Sequence, residues 1–227
     1  MEPLIVTARL RNGFAASDPW SPALDAILGY WLLRERLGEA AFTAGAADSA
    51  ALGPVEGLPL ERIDHGDWWW YACSSPIYTE AAQTLRYYHR RFDAQYSERH
   101  AAITRKRVEV KAGPYKASRL SEVVHTCPDV RWHVIGDAAE ITRVLRRCNA
   151  IGARVGAGFG AVAEWEVSES GFTTDDMAAD LARRHRPVPV EYARQNGIVG
   201  PEMIWGLRPP ARLRGNQTLC VMPDAPG

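Results

Sequence analysis

The chain is short of cysteine, almost devoid of lysine, and has no long apolar run. Its four cysteines, Cys73, Cys127, Cys148 and Cys220, stand far apart with no CxxC pair. That spacing argues against a zinc ribbon or a disulfide scaffold and for a reducing, cytoplasmic setting. No apolar stretch approaches the roughly 20 residues a membrane-spanning helix needs, so no membrane contact is expected. The opening MEPLIVTARL turns polar at Arg9 and lacks a basic start and a cleavage site, which is not the pattern of a secretory signal. HExxH, paired HD, DxDxDG, GxSxG and GK[ST] are all missing. No metal site is therefore expected, a Ser-His-Asp hydrolase has no support, and no cofactor is implied. What is present is ordinary globular material: 227 residues, 46% hydrophobic and 24% charged. Wholesale disorder is excluded.

The zero net charge conceals blocks. Residues 1–80 carry a net −6, residues 81–119 a net +7, residues 120–182 a net −5, and residues 183–227 a net +4. The basic residues are 24 Arg and only 3 Lys, and all three lysines (Lys106, Lys111, Lys116) fall in the first basic block. A neutral chain with two cationic segments reads as a protein with a local anion-binding surface.

Hydrophobic periodicity predicts an α+β chain. Strands are expected over 3–11, 68–78, 119–126, 130–136, 161–169 and at QTLCVM. Helices are expected over 22–38 with Gly38 as the stop, over 80–103, after the Asp137 N-cap to Gly152, and over 174–185. In the 80–103 helix Leu85, Tyr88, Phe92 and Tyr96 would share a face, with Arg86, Arg90 and Arg91 pointing elsewhere. The stretch 104–119, TRKRVEVKAGPYKASR, alternates around Val108 and Val110 and turns at Gly113-Pro114, as a cationic hairpin would. Trp68, Trp69 and Trp70 could be a stacking platform. Strand alternation puts Trp69 opposite the other two, which favours a buried strand.

The sequence IGARVGAGFGAV places glycines at 152, 156, 158 and 160. It is not a dinucleotide-binding loop, because the order here is helix, loop, strand and the spacing is not GxGxxG. It is a loop whose backbone can approach another group closely, and its amides can cradle phosphate. Arg154 adds a forked charge. A turn plus a bulge could use the same glycines. The Arg-faced helix before the loop and the cationic stretch roughly 40 residues upstream weigh against that plainer account.

A late helix, a loop of the form G-x-x-x-G-x-G-F-G (Gly152, Gly156, Gly158, Phe159, Gly160) and a following strand resemble the signature loop of the RAMP superfamily of CRISPR proteins. The N-terminal strand, the DPWSPALDAILGYW segment and the cationic hairpin resemble the Cas5-like subunit of type IV CRISPR complexes. The likeness spans residues 1–169. It implies a ferredoxin-like (RRM-like) core over 1–170 with a basic thumb inserted at about 86–119; the tail, 171–227, matches nothing in it and is expected to be a C-terminal extension packing on that core. The likeness also implies binding of the 5′ handle of a CRISPR RNA and contact with the backbone and other subunits of a type IV effector, through which target nucleic acid is reached.

Arg90, Arg91, Arg105, Lys106, Arg107, Lys111, Lys116 and Arg119 could neutralise phosphates, Tyr115 could stack on a base, and Arg154 could join them from the loop. The rival account is a solvated hairpin, but seven net charges in this short block repel one another unless an anion is present. A second rival is a metal-independent endoribonuclease, with His100 the best-placed base beside Arg99 and Arg105. A third is a protein–protein scaffold without RNA contact. The non-catalytic RNA-binding reading is preferred. The second basic block (Arg183, Arg184, Arg186, Arg194, Arg208, Arg212, Arg214) is evenly balanced between a nucleic-acid surface and ordinary helix-end and tail charges. Trp20 is expected to be exposed, at a subunit contact.

Overall fold

Leu4, Val6 and Ala8 alternate along the first strand, and all three are buried. This alternation sets the central strand and the face on which the main core is built. The computed structural model describes residues 1–38, 53–90, 92, 111, 116–181 and 186–224. In chain order its elements are β1 (Glu2–Leu10), β2 (Phe14–Ala16), α1 (Leu24–Leu37), β3 (Arg62–His65), β4 (Trp68–Tyr71), β5 (Ala82–Arg90), β6 (Ser118–Thr126) and β7 (Asp129–Gly136). There follow α2 (Ala138–Leu145), β8 (Val162–Glu169), α3 (Thr174–Asp180), β9 (Val188–Pro189), α4 (Val190–Gln195), β10 (Glu202–Gly206) and β11 (Gln217–Val221). The fold is α+β, made of small antiparallel sheets.

The core sheet runs β7-β1-β8, antiparallel throughout. The register pairs Leu4 with Val134, Val6 with Trp132 and Val167, and Ala8 with Val130 and Trp165. One face is therefore continuous and apolar. Trp132 and Trp165 stack there with ring centroids 6.0 Å apart. Isolated bridges join Cys73 to Val134 and Ile77 to Arg131, so the segment after β4 lies beyond β7. Spatially the order is β8, β1, β7, then 73–77. Helix α1 lies in the chain between β1 and that segment, and α2 between β7 and β8.

Leu24, Leu28 and Leu32 of α1, four residues apart, join Ile141, Val144 and Leu145 of α2 over this face. Gly38 closes α1 with φ 76°, its N–H donating to the Arg34 carbonyl at 3.0 Å. Asp137 caps α2, its carboxylate accepting from the Glu140 N–H at 3.0 Å. That helix stops at Leu145, short of Gly152. Donation from Arg147 to the Val144 carbonyl and from Cys148 to that of Leu145 tightens the last turn and swings Cys148 into the core.

The segment 80–103 is not the expected helix where it is described. Residues 82–90 form β5, paired antiparallel with β6 from Ala82↔Thr126 to Arg90↔Ser118. The local pattern of Leu85 and Tyr88 fits helical spacing. Pairing across the intervening insertion overrides it, as β-rich TLRYYHR allows. Strand β2 adds to the far side of β6, giving a sheet ordered β2-β6-β5.

The Trp68–Tyr71 strand divides its tryptophans as alternation requires. Trp69 enters the main core, while Trp70 and Trp68 join a second cluster with Val188, Val190, Leu207, Cys220 and Met222. A third, small cluster sets Met177 and Leu181 on Ala72 and Ile135, behind the core sheet. Trp20 is not exposed as expected. It is half-buried against Trp205, with centroids 5.6 Å apart, and its indole donates to the Pro223 carbonyl at 3.2 Å. Among the described residues no helix is long and apolar enough to cross a membrane.

Candidate nucleic-acid interface

The glycine-rich loop divides its glycines between two tasks. Gly152 (φ 80°) and Gly160 (φ 70°) hold left-handed backbone, and a Cβ at either would collide with a carbonyl: Ala15 for Gly152, Ile151 for Gly160. These two shape the loop's ends. The ends are tied down by donation from Ala153 N–H to Ala15 O (2.7 Å) and from Gly160 N–H to Gly13 O (2.9 Å). Gly156 and Gly158 differ in the room around them, although Gly158 (φ 91°) is left-handed too. A Cβ there would meet nothing within 4 Å, and both face solvent. Between the ends, Val155–Ala157 form a single 3₁₀ turn, entered through Arg154 with φ 56°. A non-glycine residue in that conformation is uncommon, and here it aims the guanidinium sideways. Phe159 is half-buried.

Arg154 reaches the β5–β6 pair. Its Nε donates to the Glu122 carboxylate on β6 at 2.7 Å. The β5–β6 pair is the stem of the cationic insertion, and Glu122 faces Arg86 across it. The open Gly156–Gly158 stretch therefore adjoins the stem's base. On the opposite face of the stem, the Arg119 guanidinium sits 3.8 Å from the ring centroid of Tyr87, a stacked cation–π pair beside exposed Leu85. Arg90 occupies the end of β5, opposite Ser118. Lys111 and Lys116 are exposed. Arg91, Arg105, Lys106, Arg107 and Tyr115, and with them His100, lie outside the described residues, as does most of the expected 104–119 hairpin.

The second basic block divides. Arg186 is buried: it donates to the Cys73 carbonyl at 2.8 Å, to the Leu207 carbonyl, and to the Asp25 carboxylate at 3.1 Å. Arg208 lies over the Trp69 ring at 4.6 Å and donates to Asn216 at 3.0 Å, and burial lowers its pKa. These two build the fold. Arg194, Arg212 and Arg214 are exposed, and Arg183 and Arg184 lie outside the described residues.

Sequence reasoning passed over two features. His125 at the root of β6 is buried, 2.6 Å from Glu80 through Nδ1 and stacked on Phe14. Forty-five residues separate the pair, so no motif marks it. The other is the outward flank of α1, where Tyr30, Trp31 and Arg34 come together beside the loop. Their adjacency is visible in the sequence; what they face is not.

These features belong to a CRISPR-associated protein. Residues 2–211 match the family described as CRISPR type IV associated protein Csf3, and the chain belongs to that family. No curated protein matches it. Among solved structures, it is similar at 9% identity and a TM-score of 0.32 to a chain in the cryo-EM structure of the Type III-B Cmr-beta bound to cognate target RNA. That likeness covers 74% of this chain and 61% of the other.

Proposed function

We propose that this chain is a non-catalytic, RNA-binding subunit of a type IV CRISPR effector, with a Cas5-like role at the 5′ handle of the guide RNA and a contact to the backbone subunit. Its core reads as ferredoxin-like of the RAMP kind. The antiparallel order β8-β1-β7 with 73–77 beyond β7, and a helix in each crossover, supports that reading. The observation that carries the functional reading is the 2.7 Å Arg154–Glu122 pair. It holds a stretch of backbone with two open glycines, Gly156 and Gly158, at the base of a segment with seven net positive charges. The amides of Ala157 and Gly158 are used inside the 3₁₀ turn, donating to the Arg154 and Val155 carbonyls. What suits a phosphate backbone is the close approach the open glycines permit beside forked cations, and the Tyr87–Arg119 stack suits unstacked bases.

The test is a salt titration of RNA binding. Log affinity should fall linearly with log salt, with a slope of about −0.7 for each neutralised phosphate. Replacing Lys106, Arg107 and Lys111 together by Ala should flatten that slope; an unchanged slope removes the thumb from the interface. Labelled repeat RNA incubated with the protein in EDTA should remain whole. Site-specific cleavage that is lost in His100→Ala would instead establish the endoribonuclease.

A further inference from the structure

Beside the glycine-rich loop lies a cleft of about 620 Å³, a size typical of small-ligand sites. One wall is the outward flank of α1, the floor is the chain from Cys148 to Val155, and the far wall is the 205–212 segment. The α1 wall is an aromatic platform. Tyr30 and Trp31 meet edge to face at 5.5 Å. The Arg34 guanidinium lies 5.4 Å and 5.1 Å from their ring centroids and donates to the Tyr30 hydroxyl at 2.9 Å. Trp31 is steadied by a side-chain hydrogen bond with Cys148, while Tyr30 is 43% exposed. Across the cleft stands exposed Arg212. On the floor, exposed Asn149 carries both a donor and an acceptor, the pair of groups that can read a base edge.

Charge separates a nucleotide from an apolar or cationic occupant. Among the described residues lining the cleft, four are arginines and the single carboxylate is Asp25. That carboxylate is already occupied by buried Arg186. The cleft is thus aromatic on one side, cationic at its rim and without an acid to repel phosphate. Val155 lines it and belongs to the same 3₁₀ turn as Gly156, so a chain crossing the open glycines arrives at its mouth.

We propose that this cleft takes one splayed nucleotide of single-stranded RNA. The base rests against the Tyr30–Trp31 wall with its edge toward Asn149, and the flanking phosphates lie on Arg34 and Arg212. The proposal rests on the RNA-binding reading above and adds a pocket for a single base, remote from the thumb's Lys106–Lys111 charges in sequence.

The full chain is titrated at low salt with single-stranded octaribonucleotides of A, C, G or U, and indole N–H resonances are followed, with Trp31 assigned by Trp31→Phe. The expected result is a shift of the Trp31 resonance, and a loss of roughly 10–100-fold in affinity for Tyr30→Ala, the range of one base–aromatic stack. Arg212→Ala should also weaken binding. Both side chains are exposed, and an unchanged melting temperature certifies the fold. Octamers that bind while Trp31 stays unmoved and Tyr30→Ala binds normally overturn the cleft and leave the RNA-binding subunit standing. Failure of every octamer to bind overturns both.

Discussion

Arg186 and Asp25, 161 residues apart in the chain, form a buried ion pair at 3.1 Å. The pair joins the start of α1 to the C-terminal segment, and the same guanidinium reaches the carbonyls of Cys73 and Leu207. Removing one member leaves the other charge buried and unpaired. Arg186→Ala is therefore expected to cost about 3–5 kcal/mol, read as a lower urea midpoint with the slope unchanged. Asp25→Ala should fall in the same range. A double replacement by apolar residues of similar volume should recover much of the loss, because no charge is then stranded.

Arg154 and Glu122 form the contrasting case, a pair at the surface. With the Arg154 and Glu122 side chains 36% and 14% exposed, solvent screens this pair more than the buried one, so Arg154→Ala should cost about 1 kcal/mol, well below the loss from Arg186→Ala. Its effect belongs in binding: weaker RNA affinity and a salt slope shallower by about 0.7. If stability falls sharply while the slope holds, Arg154 is a latch for the loop and not a phosphate contact.

The glycines of the loop make separable predictions. Gly160→Ala forces a Cβ onto the Ile151 carbonyl in left-handed backbone and should destabilise by about 1–3 kcal/mol or more, whatever binds. Gly156→Ala meets empty space and should leave the melting temperature within experimental scatter. If the open stretch receives RNA backbone closely, Gly156→Ala should nonetheless weaken binding; equal affinity would assign that glycine to loop flexibility alone.

Much of this architecture is legible from periodicity. The alternation over 3–11 announces a strand, Leu24-Leu28-Leu32 announces α1, and the parity of Trp68–Trp70 divides two clusters correctly. The stem was not legible, because Leu85 and Tyr88 satisfy helical spacing and only the distant partner Ser118–Thr126 makes 82–90 a strand. Strand β2 is three residues long, too short for alternation to show. Of the site, the glycine-rich loop and the cationic block were visible as composition. Their junction depends on Glu122, an acid in a segment read for its neighbours. The cleft needed the fold entirely, since Tyr30 and Arg212 are joined only when the C-terminal segment packs back on α1.

The four cysteines are all free and buried, and their burial gives a pH dependence with a definite sign. Burial pushes the thiols of Cys73 and Cys220 up to about 12 and that of Cys127 to about 11, from an ordinary 9.0. Tyr78 is likewise pushed up to about 12, from 10.0, chiefly by burial. In the folded chain these groups stay protonated above pH 9, whereas in the unfolded chain the thiols ionise from there. The unfolded state then binds fewer protons, so stability falls as pH rises. Stability from these groups should be level below about pH 9 and should decline between pH 9 and the folded values near 11 and 12. Each thiol ionised only in the unfolded chain contributes about 1.4 kcal/mol per pH unit to the slope. Urea titrations from pH 7 to 11 measure this. Cys73→Ala should flatten the alkaline limb even if it lowers the plateau, and a limb of the same steepness in that variant would show that Cys73 is not among the groups held neutral. The same burial predicts that native protein at pH 8 resists iodoacetamide and that unfolded protein alkylates at all four positions.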